Sequence, residues 1–489
     1  MSNNDMSKNK IPDINKSRKE TTELINNYIT QSRKIIYNTL VNKYNLSAKK
    51  ASDFEFNINR STLAKMSNTY RFSGQLPQND KRGEDLDRLF TLNHPDFLDW
   101  SILSLFIPFY QSFGDTLGYY NGNWEFNYGD DRAKPDYVNN LIHEFINLGG
   151  VNDLSILNWL ASDDTILYIA TMQVVSRYFS AENPTIDFYG NSLKQEYLQV
   201  KPILEYRDPG EVTMDSLGIL SIINWDKIPY NSRAIGAGAA MRSGSIGIFY
   251  PGSHNRKKLV ELAVECSRIT HNSATAILGA VVAALFTAYG LEKISINKWP
   301  HKLLKLLESN MVDNYIKASR PTEFDTFVRD KSIYHGQWKK YVNWRFSSGT
   351  TPRTDLRYMI NPVERYKYLV ENFSKGCKKP GACGDDCLIM AYDALLQSEG
   401  IIEKIIVYAI LHPGDSDTVG SIALSWFGAL YGTSKNMNIL SSRFYDLEYY
   451  ETIYDFLNDN WRNMLKVYYK DIYLNTANKF MKQIIKNRN

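Results

Sequence analysis

An all-α fold is what this sequence predicts, and three observations predict it. Apolar residues recur at three- and four-residue spacing through most of the chain. Strand-turn-strand signals are scarce, and no 20–50-residue repeat is present. The stretch 274–289 is dense in Ala and Gly between Ile, Leu and Val, the composition of a helix packed tightly among other helices.

The 489 residues, 43% apolar and 22% charged, suit a soluble globular protein with a large core. A net charge of +4 is too small to argue for nucleic acid. The N-terminus carries no apolar signal segment, and the most continuous apolar run, Ile277 to Tyr289, is too short to span a bilayer. The expectation is a cytoplasmic protein with no membrane partner, acting as a monomer. Three of the four cysteines lie close together (Cys377, Cys383, Cys387), but their spacing matches no common zinc pattern. Free thiols are expected.

Residues 1–95 read as an N-terminal extension, disordered over its Lys-, Asn- and Ser-rich start and helical from Thr21 to about Tyr44. It is a basic arm whose solvated face could also meet a partner or nucleic acid. The main domain opens near Asp96. Trp100 to Ile107 predicts an apolar helix running into Gly114-Asp115-Thr116-Leu117-Gly118, where Asp115 sits in a Gly-flanked turn as a cap or a site carboxylate. Tyr119 to Phe126 mixes aromatic and turn residues and reads as a loop.

Ser162-Asp163-Asp164-Thr165 then precedes Ile166, Leu167, Ile169, Ala170 and Val174, so two carboxylates fall on the first turn of a helix. Gly236-Ala237-Gly238-Ala239-Ala240-Met241-Arg242 holds two glycines that allow a close backbone approach. Such a turn is either a helix-packing device or an anion-binding nest, and Met241 stands where a dinucleotide fingerprint needs its third glycine. Thr270-His271-Asn272-Ser273 separates two helical stretches, with His271 at the start of the second. Residues 290–380 are charged and aromatic. Cys387 to Leu396 and Ile401 to Leu411 are further helical segments.

The segment His412-Pro413-Gly414-Asp415-Ser416-Asp417-Thr418 repeats the acidic helix start ahead of Ile422, Leu424, Trp426 and Phe427. One cap needs one side-chain oxygen, so adjacent carboxylates exceed what capping requires. Four carboxylates brought together repel one another unless cations sit between them. Oxygen donors without His or Cys suit Mg²⁺ or Mn²⁺ rather than zinc. The expectation is a binuclear site, which requires the two helix starts to meet.

Taken in order, Gly114 to Gly118, Ser162 to Thr165, Gly236 to Arg242, Thr270-His271 and Gly414 to Gly420 resemble the ADP-ribosylglycohydrolase family over roughly residues 100–460. Within it the chain looks most like the ADP-ribosylarginine hydrolase branch. Gly118 to Phe126, the Gly-Ala-Gly-Ala-Ala-Met-Arg turn and Met390 to Leu396 carry that likeness. The resemblance implies a compact multi-helix domain over 96–489 with two Mg²⁺ (Mn²⁺ possible). It implies metal ligands at Ser162, Asp163, Asp164, Asp415, Asp417 and Thr418. Gly236 and Gly238 would hold a diphosphate beside His271. Trp124, Glu125 and Asp115 complete the substrate-binding set, Asp115 in support of the ligands.

The implied reaction is removal of ADP-ribose from ADP-ribosylated arginine in a protein substrate, with Asp164 as general base and Asp163 mainly a ligand. The reverse assignment of the two stays open. Rival readings are hydrolysis of another linkage (serine, O-acetyl-ADP-ribose, nucleic acid) and a catalytically weak ADP-ribose binder.

Overall fold

The computed structural model describes residues 99–126, 136–354, 360–432, 441–444 and 446–457. The extension at 1–95 lies outside them. Two units divide the chain, Met1–Asp96 with Asn438–Tyr445, and Phe97–Met437 with Asp446–Asn489. Of the first unit only the turn Ser441–Phe444 is described.

The second unit is all-α. Its longer helices are α1 (Asp99–Tyr119), α2 (Asp136–Asn147), α3 (Asp163–Ser180), α4 (Ile186–Leu204), α5 (Glu211–Leu220), α6 (Ala240–Phe249), α7 (Arg256–Arg268) and α8 (Ala274–Leu291). They continue as α9 (Trp299–Glu308), α10 (Met311–Ser319), α11 (Phe324–Arg345), α12 (Pro362–Phe373), α13 (Asp386–Ser398), α14 (Ile402–Ala409) and α15 (Ser416–Tyr431). Among the described residues the sheet content is one short antiparallel pair, Phe346–Ser348 with Thr351–Pro352.

Helix α8 is the central strut. Its 18 residues are long and apolar enough to cross a membrane, longer than the sequence run suggested, yet 94% of it is buried inside the domain. Small residues let its neighbours approach closely. A methyl group on Gly247 of α6 would overlap the Ala284 carbonyl, and Trp426 of α15 donates its indole N–H to Ala283 O at 3.2 Å.

Among the described residues helices α1 and α15 make the most extensive helix–helix contact, and it corrects one expectation. Gly114-Asp115-Thr116-Leu117-Gly118 is not a turn but the last part of α1. A β-carbon on Gly114 would overlap Gly420 O, and one on Gly118 would overlap Ser416 O. The glycines are there because another helix's backbone lies on them, which a single-sequence reading of Gly as punctuation misses. Ser416 Oγ seals the crossing by donating to Gly118 O at 2.7 Å.

Candidate active site

The two acidic helix starts meet. Ser162 is the N-cap of α3 and accepts from Asp164 N, and Asp415 is the N-cap of α15 and accepts from Thr418 N. Between the helices, Thr418 Oγ1 donates to Asp164 Oδ1 at 3.4 Å and Ser421 Oγ donates to Asp164 Oδ2 at 3.1 Å. Ser421 was not singled out from sequence, although it lies three residues after Thr418 on the same helix face. Asp163, Asp164, Asp415 and Asp417 are all buried, with 7% of Asp163 exposed and 2% of Asp164.

Asp115 stands behind them on α1. Its carboxylate accepts from Ser162 N at 3.1 Å and from Thr165 N at 2.9 Å, so it caps α3 from outside. On the other side of Ser162, Ala161 is gripped twice. Its N–H donates to Glu448 Oε2 and its carbonyl accepts from Arg207 Nη1, while Arg207 and Glu448 pair with each other at 2.7 Å. Neither residue belongs to a motif, and the sequence held no signal for them.

Glu125 comes from the loop after α1, where Tyr120, Asn121 and Phe126 adopt positive φ. One carboxylate oxygen each of Glu125, Asp415 and Asp417 lies within 4.8 Å of the others. The structure therefore places Glu125 among the acidic groups. Trp124 turns the other way, fully buried in an aromatic cluster with Tyr120, Phe145 and Trp159. It supports the loop and does not line an opening.

This concentration of negative charge shows in the acidities. Burial and the Asp417 charge push Asp115 up to about 7. Burial, then Asp417, lifts Asp163, Asp164 and Asp415 well above the usual carboxylate range. Such groups share protons or hold cations. The donor set fits hard divalent cations, being oxygen-only, convergent and buried.

The Gly-rich stretch forms a 3₁₀ turn, Ala237–Ala239, opening directly into α6. His271 packs against it, and a β-carbon on Gly238 would lie 2.8 Å from His271 Cε1. Burial and nearby Arg242 lower the His271 pKa to about 3, so the imidazole is neutral.

Residues 377–384 join the two halves of the site and overturn the thiol expectation. Cys377 and Cys383 are disulfide-bonded, and Cys266 and Cys387 are the free, buried cysteines. Lys378-Lys379-Pro380-Gly381 folds the chain back, with Gly381 at φ +87°, and sets the two Cα atoms 5.8 Å apart. Pro380 O accepts from Asp415 N at 2.8 Å, Ala382 O accepts from Ala237 N at 2.9 Å, and Gly384 N donates to Ile235 O at 2.8 Å. Asp386 holds the loop's inside by accepting from Gly381 N and Cys383 N.

Comparison with known proteins decides the family. The sequence profile of the ADP-ribosylglycohydrolase family matches residues 111–467. This chain belongs to the ADP-ribosylglycohydrolase family. It is 58% identical over 473 residues to a protein of Acanthamoeba polyphaga mimivirus named ADP-ribosyl glycohydrolase L444, covering 96% of this chain and 91% of that one. It is 32% identical over 342 residues to a Dictyostelium discoideum protein named ADP-ribosylhydrolase ARH1, covering 66% and 84% respectively. A solved structure titled ADP-ribosylglycohydrolase-related protein complex aligns with a TM-score of 0.43 at 17% identity, covering 75% of this chain and 99% of that one. An ADP-ribosylglycohydrolase activity follows from the family.

Proposed function

We propose that this ADP-ribosylglycohydrolase removes ADP-ribose from ADP-ribosylated arginine side chains, using two divalent cations, Mg²⁺ or Mn²⁺, held by Ser162, Asp163, Asp164, Asp415, Asp417 and Thr418. The observation that carries the reading is the junction of α3 and α15, where Thr418 and Ser421 meet Asp164. Glu125 has the position to join the ligand set. The arginine linkage is favoured by the Gly118–Phe126 loop and by Ala237 in the Gly-rich turn.

When bound, the cations supply orientation of the ribose hydroxyls and a water of lowered pKa. Gly236 and Gly238 give the diphosphate access to the amides opening α6, where the helix dipole favours negative charge. Asp164 accepts the water's proton; its two hydroxyl donors fix the carboxylate plane and leave lone pairs for that task. The water oxygen bonds to the anomeric carbon as the bond to the guanidinium nitrogen breaks, through an oxocarbenium-like transition state, and the proton taken up by Asp164 then passes to the departing guanidine. The products are free ADP-ribose and arginine.

The test is release of free ADP-ribose from arginine-, serine- and acetyl-linked substrates, with Mg²⁺ and with EDTA. Metal-dependent release from the arginine linkage alone is expected. Release from the serine linkage instead overturns the substrate assignment, and release unchanged by EDTA overturns the cations.

A further inference from the structure

Arg242 is fully buried on α6, and the hydrogen-bond acceptors around its guanidinium are neutral oxygens. Its Nη1 donates to Gly238 O at 2.6 Å, inside the Gly-rich turn, and its Nη2 donates to Cys266 O and to Thr270 Oγ1, each at 2.7 Å. The guanidinium lies over the Tyr197 ring, 5.0 Å from its centroid. Its charge also acts on Asp163, opposing the rise that burial imposes on that carboxyl.

Thr270 passes the arrangement on. Its hydroxyl lies 2.8 Å from His271 Nδ1. Arginine is always a donor, so the Thr270 oxygen accepts from Arg242 and retains one proton of its own. Thr270 is 2% exposed, and among the described residues its hydroxyl meets Arg242 and His271. If Nδ1 were the donor, the hydroxyl proton would be buried without an acceptor, the costlier arrangement. The proton therefore points at Nδ1, which accepts. The His271 backbone is fixed on both sides, its N–H donating to Ser267 O at 2.7 Å and its carbonyl accepting from Ser267 Oγ at 2.8 Å. That leaves Nε2 as the protonated nitrogen of a neutral ring, on the edge facing the turn. A β-carbon on Gly236 would lie 3.2 Å from it, and one on Gly238 3.3 Å.

We propose that Arg242, acting through Thr270, is a positioning residue that holds His271 in the Nε2–H tautomer, so that a donor faces the anion seated at Gly236 and Gly238. The inference rests on the reading of that turn as the diphosphate seat. It adds a proton assignment that the seat alone does not require. An Nδ1–H ring would turn a lone pair toward the phosphate oxygens and repel them.

The experiment is ¹⁵N spectroscopy of histidine-labelled full-length protein, with His271 assigned by the His271→Asn variant. Wild type is expected to show a pyridine-like Nδ1 and a pyrrole-like Nε2, and a pyrrole-like Nδ1 overturns the proposal. Thr270→Val is expected to mix the tautomers and weaken ADP-ribose binding about tenfold, with Thr270→Ser restoring both. A Thr270→Val protein with unchanged tautomer and affinity also overturns it. If the valine variant does not fold, the wild-type and serine spectra still decide. ADP-ribose that binds without moving the His271 signals overturns the diphosphate seat and leaves the tautomer assignment standing, so the two failures are distinguishable.

Discussion

Ser421 Oγ reaches Asp164 Oδ2 at 3.1 Å, joining residues 257 positions apart in the chain. This contact orients the carboxylate to which proton transfer is assigned, and the single hydroxyl proton is shared with Thr418 O of the same helix, 3.0 Å away. Because the contact works on a charged acceptor, it is worth more than an ordinary hydroxyl bond.

Ser421→Ala should therefore lower kcat/KM by about three- to tenfold while leaving the fold intact, since it removes one hydroxyl shared between Asp164 and Thr418 O. Asp164→Asn keeps the shape and loses the base, and should cost at least about a hundredfold in kcat. Steady-state ADP-ribose release from the arginine linkage measures both. Turnover that survives in Asp164→Asn and vanishes in Asp163→Asn would exchange the roles of the two.

The α1–α15 crossing makes an opposite pair of predictions about glycine. Gly114→Ala drives a methyl into the Gly420 carbonyl, backbone that cannot step aside, and should destabilise the protein by about 1–3 kcal/mol or more. Gly336 lies exposed in the middle of α11 with nothing near its missing β-carbon. Gly336→Ala should stabilise by about 0.5–1 kcal/mol through helix propensity. Urea denaturation of the two variants reads both signs.

The helices and the acidic pairs were legible in the sequence because each is a local pattern. The 3.6-residue period marks a helix whatever surrounds it, and Asp163-Asp164 and Asp415-Ser416-Asp417 announce excess charge at a helix start. What packs against a residue is not local, and there the reading failed. Gly114 and Gly118 looked like turn residues because nothing nearby in sequence reveals the backbone of α15. Cys377 and Cys383 looked unpaired because spacing alone does not show that Lys378 to Gly381 doubles back. Arg207 and Glu448, which grip Ala161, are ordinary surface-type residues until the fold brings them together. Trp124 sits beside Glu125 in the chain, yet one enters an aromatic cluster and the other joins the carboxylates.

Mutual repulsion in the acidic centre sets a pH dependence. Asp115 ionises near 7 in the folded protein and near the ordinary carboxylate value when unfolded, because burial and Asp417 disfavour its charge. A group whose folded pKa is raised binds protons more tightly when folded. Its stabilising contribution is present at low pH and is lost as pH rises toward 7. Metal-free protein should lose this contribution across that window, and Asp163, Asp164 and Asp415, shifted the same way, add to it. Divalent cations replace the protons, so Mg²⁺ should raise Tm more at pH 8 than at pH 5. Thermal scans at both pH values, with Mg²⁺ and with EDTA, check the sign; an equal Mg²⁺ effect at both would contradict it.

The disulfide should matter to both halves of the site at once. Its loop presents Pro380 O to the Asp415 amide and Ala382 O to the Ala237 amide, so it aligns an acidic N-cap with the Gly-rich turn. Cutting Cys377–Cys383 frees a short loop, and the chain-entropy treatment of so small a ring gives about 2 kcal/mol of lost stability. The functional effect should exceed the thermal one, because a shift of a few tenths of an ångström at Pro380 moves the Asp415 cap. Gly414 has no room to absorb it, as a β-carbon there would already overlap Pro380 O. A Cys377→Ser, Cys383→Ser double variant should show a raised KM for ADP-ribosylated substrate and a weaker Mg²⁺ dependence curve, with the helical circular dichroism unchanged. Treatment of wild type with a dithiol reductant, which is itself oxidised to a disulfide as the two cysteine thiols form, should give the same phenotype. A double variant with wild-type KM and Mg²⁺ response would show that Asp386, accepting from Gly381 and Cys383, holds the loop without the disulfide.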